Sequence, residues 1–271
     1  MTRKLLRILT ATCLVAAISC EVSNDEEVAI GSETSQQIQS RLPIVNDPYI
    51  VSYINELGDT IASHTSRTDL DWHFFVVNSH QVNAFALPGG FIYVNRGLIE
   101  ATTRADELAG VLGHEIGHVI QRHSVKQMQN QQKVGAVAEI ACTLTSLCES
   151  QLGQAAINIG GTAVIARYSR ADELEADSEA VENVLKVNID PEGIPSLFEV
   201  LMEQRKTEPT IVDSWFSTHP LEESRVDHSR LLIARSGADQ VSGLMQDLPS
   251  YAEFKRRVSM LPEPPRPARQ R

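Results

Sequence analysis

His114-Glu115-Ile116-Gly117-His118 is the stretch of this 271-residue chain whose residue types and spacing most directly suggest chemistry. On a helix, histidines four apart stand one turn apart on a single face. Their ring nitrogens can then converge on one Zn²⁺ at about 2.0–2.1 Å each. Glu115, beside the first histidine, can reach a water on such an ion, take its proton and later return it to a leaving amine. The same five residues also arise by chance in solvated helices, so the flanks decide. Thr103, Asp106 and Glu107 open the segment like a capped, acid-rich helix start, and Leu108, Val111, Leu112 and Val119 give it an apolar stripe at helical spacing. Gly113 and Gly117 cost that helix roughly 1 kcal/mol each relative to alanine. Their expected use is close approach of another backbone.

Two histidines leave a catalytic zinc short of one protein ligand. The best candidate lies in Tyr168-Ser169-Arg170-Ala171-Asp172-Glu173-Leu174-Glu175-Ala176-Asp177. Glu173 and Asp177, four apart, share a helical face. Glu173 can serve as a ligand while Asp177 accepts the far N–H of a ligand histidine and fixes its tautomer. Asp172 and Glu175 face elsewhere and read as solvated. Helix spacing alone leaves Glu173 open between metal ligand and surface charge.

The elements that would position these residues read as α+β, mostly helical, with a small antiparallel sheet ahead of the histidine helix. Asp47-Pro48 starts a helix whose apolar face is Ile50, Ile54, Leu57 and Ile61. Trp72 to Val77, Asn83 to Leu87 and Phe91 to Val94 read as strands, the last two joined by a turn at Pro88-Gly89-Gly90. Gln127 to Ala166 is Gln-, Ala- and Gly-rich and reads as one or two amphipathic helices over the site. Arg170 to Val187, Pro191 to Arg205 and Leu221 to Arg235 read as helices. The resulting division is a signal at 1–19, an acidic, loosely packed linker or helix at 20–43, a domain at 44–260 with its motifs in 72–235, and a disordered Pro- and Arg-rich tail at 261–271.

Arg3, Lys4 and Arg7 followed by the apolar run Ile8 to Ile18 read as an export signal, too short and wrongly flanked for a permanent membrane span. It ends Ala17-Ile18-Ser19-Cys20, which resembles a bacterial lipoprotein signal cleaved before an acylated Cys20; plain secretion is the alternative. Glu21 lacks the aspartate associated with inner-membrane retention, which favours the periplasmic face of an outer membrane. Removing the signal takes the net charge from -11 to -14, with 21 basic against 35 acidic residues. That balance argues against nucleic acid as a partner. Cys142 and Cys148 can form a disulfide in an exported protein only if the chain turns between them, because six residues of helix span about 9 Å. A local disulfide and two free thiols both stay open.

His-Glu-Ile-Gly-His followed some fifty residues later by Ser169-Arg170-x-x-Glu173-x-x-Ala176-Asp177 resembles the HtpX/BepA/LoiP group of gluzincin metallopeptidases, which includes the CAAX-processing zinc endopeptidases. Asn83-Ala84-Phe85 with Pro88-Gly89-Gly90, and Ser217-Thr218-His219-Pro220 with Arg225, resemble two further blocks of that group. The similarity is to its soluble lipoprotein branch, without the transmembrane helices of HtpX or the C-terminal repeats of BepA. The resemblance implies a zincin-like fold, one Zn²⁺ held by His114, His118 and Glu173, Glu115 as base and Asp177 supporting a ligand. It puts Asn83 and His219 near the reacting peptide, where their N–H groups can stabilise an oxyanion. It implies cleavage of unfolded or misassembled envelope proteins and contact with outer-membrane assembly machinery. The alternative is an assembly factor whose zinc is rarely used, with His219 as an inhibitory fourth ligand.

Overall fold

The computed structural model describes residues 21–133, 168–220, 223–237, 241–248 and 250–264. Cys20, Cys142, Cys148 and most of Gln127 to Ala166 lie outside them. The described chain runs α1 (Asn24–Gln39), α2 (Pro48–Ala62), β1 (His73–Val77), β2 (Ala84–Leu87), β3 (Phe91–Asn95), α3 (Arg96–Ala101), α4 (Ala105–Ile120) and α5 (His123–Lys133). It continues with α6 (Arg170–Lys186), α7 (Gly193–Thr207), α8 (Pro209–Thr218), α9 (Glu223–Ser236) and α10 (Tyr251–Ser259). The class is α+β and mostly helical.

The sheet is mixed rather than antiparallel. Its order is β1-β3-β2, with β2 and β3 an antiparallel hairpin and β1 parallel to β3. The hairpin turns at Pro88-Gly89-Gly90, where Gly89 and Gly90 take φ of 77° and 93°; glycine adopts that region without steric cost. The partner of β1 was not legible, because alternation of side chains fixes which face is buried, not which neighbour a strand pairs with.

Asp47 caps α2, its Oδ1 accepting from the backbone N–H of Tyr49 at 3.0 Å and of Ile50 at 3.1 Å. The predicted stripe Ile50, Ile54, Leu57 and Ile61 is buried. Helix α4 sits at the centre of the fold and packs against α2, α6, α7 and the hairpin. At its start the buried Glu107 carboxylate accepts from Thr103 Oγ1 at 3.1 Å and from Ser196 Oγ on α7 at 2.8 Å.

The acidic N-terminal segment is docked firmly, where loose packing was expected. Glu27 on α1 is fully buried and meets Arg122 Nε at 2.9 Å, Arg67 Nη2 at 3.2 Å and the Gly89 N–H at 3.3 Å. One helix thus grips both the hairpin turn and the chain just after α4. Sequence inspection missed the tie because Glu27 gains its two arginines from residues 40 and 95 positions away. The start of the tail is also held, the Pro262 carbonyl accepting from Asn78 Nδ2 at 2.9 Å and Arg96 Nη1 at 3.2 Å.

Helix α6 lies on α4 at glycine-short distance. A Cβ on Gly117 would fall 2.9 Å from the Ala176 carbonyl oxygen and 2.9 Å from Glu179 Cβ, and one on Gly113 would fall 3.2 Å from Ala180 Cα. These are the two glycines whose helical cost suggested a close neighbour. An isolated helix would gain about 1 kcal/mol from Gly117→Ala. In this protein we expect the same change to lower the thermal midpoint, because a backbone carbonyl stands in the way; a raised midpoint would show that the helices can part without penalty.

Candidate metal centre

Helix α4 presents His114 and His118 on the face that meets α6, and α6 answers with Glu173 and Asp177. Helix α8, a stretch the sequence analysis left unassigned, ends at Thr218 and delivers His219 into the same space. All five side chains are buried, as is that of Glu115. One donor atom each from His114, His118, Glu173 and His219 lie within 4.8 Å of one another. His114 Nε2 and His118 Nε2 are 3.0 Å apart; His219 Nδ1 is 3.3 Å from His114 Nε2 and 3.1 Å from Glu173 Oε1. The Glu173 oxygens stand 3.6 Å from His114 Nε2 and His118 Nε2.

The outer groups are equally ordered. Asp177 Oδ1 accepts from His114 Nδ1 at 2.9 Å, and Arg225 on α9 donates to Asp177 through Nε at 2.8 Å and Nη2 at 2.6 Å. Its Nη1 meets Glu173 Oε2. Arg225 thus holds both α6 carboxylates at once. His118 Nδ1 faces His123 Nδ1 at 2.8 Å, and Tyr168 stacks on the His118 ring with centroids 3.8 Å apart. Trp215 stacks on His219 at 4.6 Å. His123 and Trp215 were missed in the sequence. His123 falls just past Arg122, whose φ of 54° breaks the helix and so hides the periodicity that would have flagged it.

Charge explains how such a cluster is kept. Burial pushes the Glu115 carboxyl up, countered in part by His219. Burial would also raise Glu173 and Asp177, but His219 and Arg225 hold Glu173 down, and Arg225 with His114 holds Asp177 well down. Burial drives His118 far below its ordinary value, leaving a neutral ring with a lone pair to give. Burial opposes a charged His219, yet the Glu173 and Glu115 carboxylates raise it.

The residues fit a divalent cation. Among the described residues three buried carboxylates, Glu115, Glu173 and Asp177, stand with one buried guanidinium, Arg225, so with the histidines neutral the ionised set carries two uncompensated negative charges. Among the described residues, neither oxygen of Glu115 and not His219 Nε2 has a hydrogen-bond partner; these two groups stand 3.5 Å apart. Imidazole and carboxylate donors together suit zinc or its neighbours. Asn83 just precedes β2. Its side chain is buried and neither amide atom is hydrogen-bonded, while its carbonyl accepts from Asn95 N–H at 2.9 Å. Among the described residues it makes no hydrogen bond to the histidine cluster.

Two imidazoles one helical turn apart, a glutamate between them and a carboxylate from a second helix define a metallopeptidase of the zincin kind. A family model described as Peptidase family M48 matches residues 48–232, and the chain belongs to that family. It is 32% identical over 221 residues to the β-barrel assembly-enhancing protease of Escherichia coli K12, and 31% over 217 residues to that of Yersinia pestis. Each match covers 77% of this chain and 44% of the relative, so the chain spans less than half the length of these proteases. It is 30% identical over 225 residues to metalloprotease LoiP of E. coli K12, covering 80% of this chain and 84% of LoiP.

Arg225 yields a prediction with a definite sign. Asp177 is depressed in the folded protein, so it contributes stability above its ordinary value of 3.8 and loses it as pH falls toward the folded value. Arg225→Met strands two buried carboxylates and should cost about 3–5 kcal/mol at neutral pH. The deficit should already narrow as pH falls from neutral toward about 4, because burial without Arg225 raises the stranded carboxyls and the variant takes up protons before the wild type does. Denaturant unfolding across pH measures this; a deficit unchanged from neutral to acid would contradict it.

Proposed function

We propose that the chain is a zinc-dependent endopeptidase in which His114, His118 and Glu173 hold the metal and Glu115 is the general base. The observation that carries this reading is the buried four-donor group beside a carboxylate left without a hydrogen bond. A bound Zn²⁺ would supply Lewis acidity, bringing a water to near-neutral pKa and polarising the scissile carbonyl. Glu115 takes the proton of the attacking water and passes it to the departing amine. Its raised pKa suits both steps, since a base that must also act as an acid works best near the ambient pH. Asp177 keeps His114 in the tautomer that leaves Nε2 free. His219 Nε2 and the Asn83 amide are N–H donors for the developing oxyanion.

Substrates are extended or unfolded polypeptides. β2 is an edge strand of the sheet and packs beside α4, a placement that suits pairing with an extended backbone. The names of the relatives support a role with envelope proteins, including β-barrels in assembly. Lipidation of Cys20 would hold the protein at the periplasmic face of the outer membrane, and two or more acyl chains suffice for a stable anchor. Among the described residues no helix is long and apolar enough to cross a membrane.

Glu115→Gln should keep zinc and lose cleavage of an unfolded protein by about 10²–10⁴-fold; near-normal cleavage with zinc retained would rule out the mechanism. A second reading is favoured by His219 Nδ1, which lies inside the donor group. There His219 closes the site as a fourth ligand, and the protein serves chiefly as an assembly factor. His219→Ala separates the two. As an oxyanion donor its loss lowers cleavage about 10²–10³-fold, whereas as a closing ligand its loss raises cleavage.

A further inference from the structure

The two histidines of α4 are supported by different means. His114 Nδ1 meets Asp177 directly, inside the protein. Among the described residues His118 Nδ1 has no carboxylate within hydrogen-bond reach and faces the ring of His123, itself 2% exposed. The far nitrogen of His123, Nε2, lies 3.2 Å from Glu175 Oε2 and 3.6 Å from Asp172 Oδ1. Both carboxylates belong to the first turns of α6, and both reach solvent, with side chains 53% and 35% exposed.

With both rings neutral, only one proton arrangement satisfies this chain. A carboxylate can only accept, so a neutral His123 carries its proton on Nε2. Its Nδ1 is then an acceptor, and the hydrogen at 2.8 Å must come from His118 Nδ1. A His118 ring with its proton on Nδ1 has its lone pair on Nε2, the atom that stands in the donor group. The reverse arrangement would put the His118 proton on Nε2 and remove it as a metal donor.

We propose that His123 is the positioning residue of His118, and that His123 relays to this buried ring the orienting influence of the solvent-facing pair Asp172 and Glu175. The inference rests on the reading that His118 binds zinc. The site then has one sealed support, Asp177 with Arg225, and one that runs out to the surface. It also gives Asp172 and Glu175 a task that spacing alone assigned to solvent.

Zinc affinity measured by chelator competition, with folding checked by circular dichroism, provides the test. His123→Phe fills the space without an acceptor and should weaken zinc binding by about 10–100-fold. His123→Asn, whose Oδ1 can stand where Nδ1 stood, should restore most of it. Nuclear magnetic resonance of ring-¹⁵N-labelled, zinc-loaded protein should find the proton on Nδ1 of His118 and on Nε2 of His123. Unchanged affinity in folded His123→Phe, equal losses in the Phe and Asn variants, or a proton on His123 Nδ1 would each overturn the proposal while leaving the zinc reading standing. A wild-type chain that holds no zinc would overturn both.

Discussion

The close contact between α4 and α6 is the constraint on which the rest of this structure depends. Gly113 and Gly117 remove the side chains that would hold the helices apart, and Ala176 and Ala180 face them from the other side. At that separation a carboxylate on one helix can stand beside imidazoles on the other. A pair of ordinary side chains at the crossing would push Glu173 out of reach. The glycines weaken the isolated helix by about 1 kcal/mol each, and the contact they permit is recovered through packing across its whole length.

Once the helices are so close, charge becomes the next problem. Burying three carboxylates in one place is costly unless each has a partner. Arg225 holds two of them, Glu173 and Asp177, and His219 Nε2 stands 3.5 Å from the third, Glu115. What is left over is the amount a divalent cation carries. Seen this way, Arg225 and the histidines do two things. They make the site affordable in the absence of metal, and they leave their inner nitrogens and oxygens pointed at a common centre.

Much of this was legible before any coordinates. Helical spacing put the histidine pair on one face of one helix and Glu173 with Asp177 on one face of another, because period fixes face on a regular helix, while it left Glu173 open between metal ligand and surface charge. The Asp47 cap and the Ile50–Ile61 stripe were found for the same local reason. The misses share a different cause. The parallel pairing of β1 with β3, the burial of Glu27 by Arg67 and Arg122, and the approach of His123 to His118 all join residues through a turn or across a long loop. Helix α8 was assigned no element from the sequence; it starts at Pro209, and proline is well tolerated in a first helical turn. The start of the tail was read as disordered from composition, which says nothing of the arginine that receives it.

What the sequence determined by itself was the inventory and its local geometry: which donors exist, which helix each belongs to, which face it occupies, and the glycines that ask for a neighbour. Tertiary structure alone decided which helices meet, that His219 arrives among the donors, that Arg225 joins two carboxylates and that His118 leans on another histidine. The reason is physical. Helical period is set by backbone hydrogen bonds between near neighbours and can be read along the chain. The partner of a buried charge is set by the packing of the whole, and no short window of residues contains it.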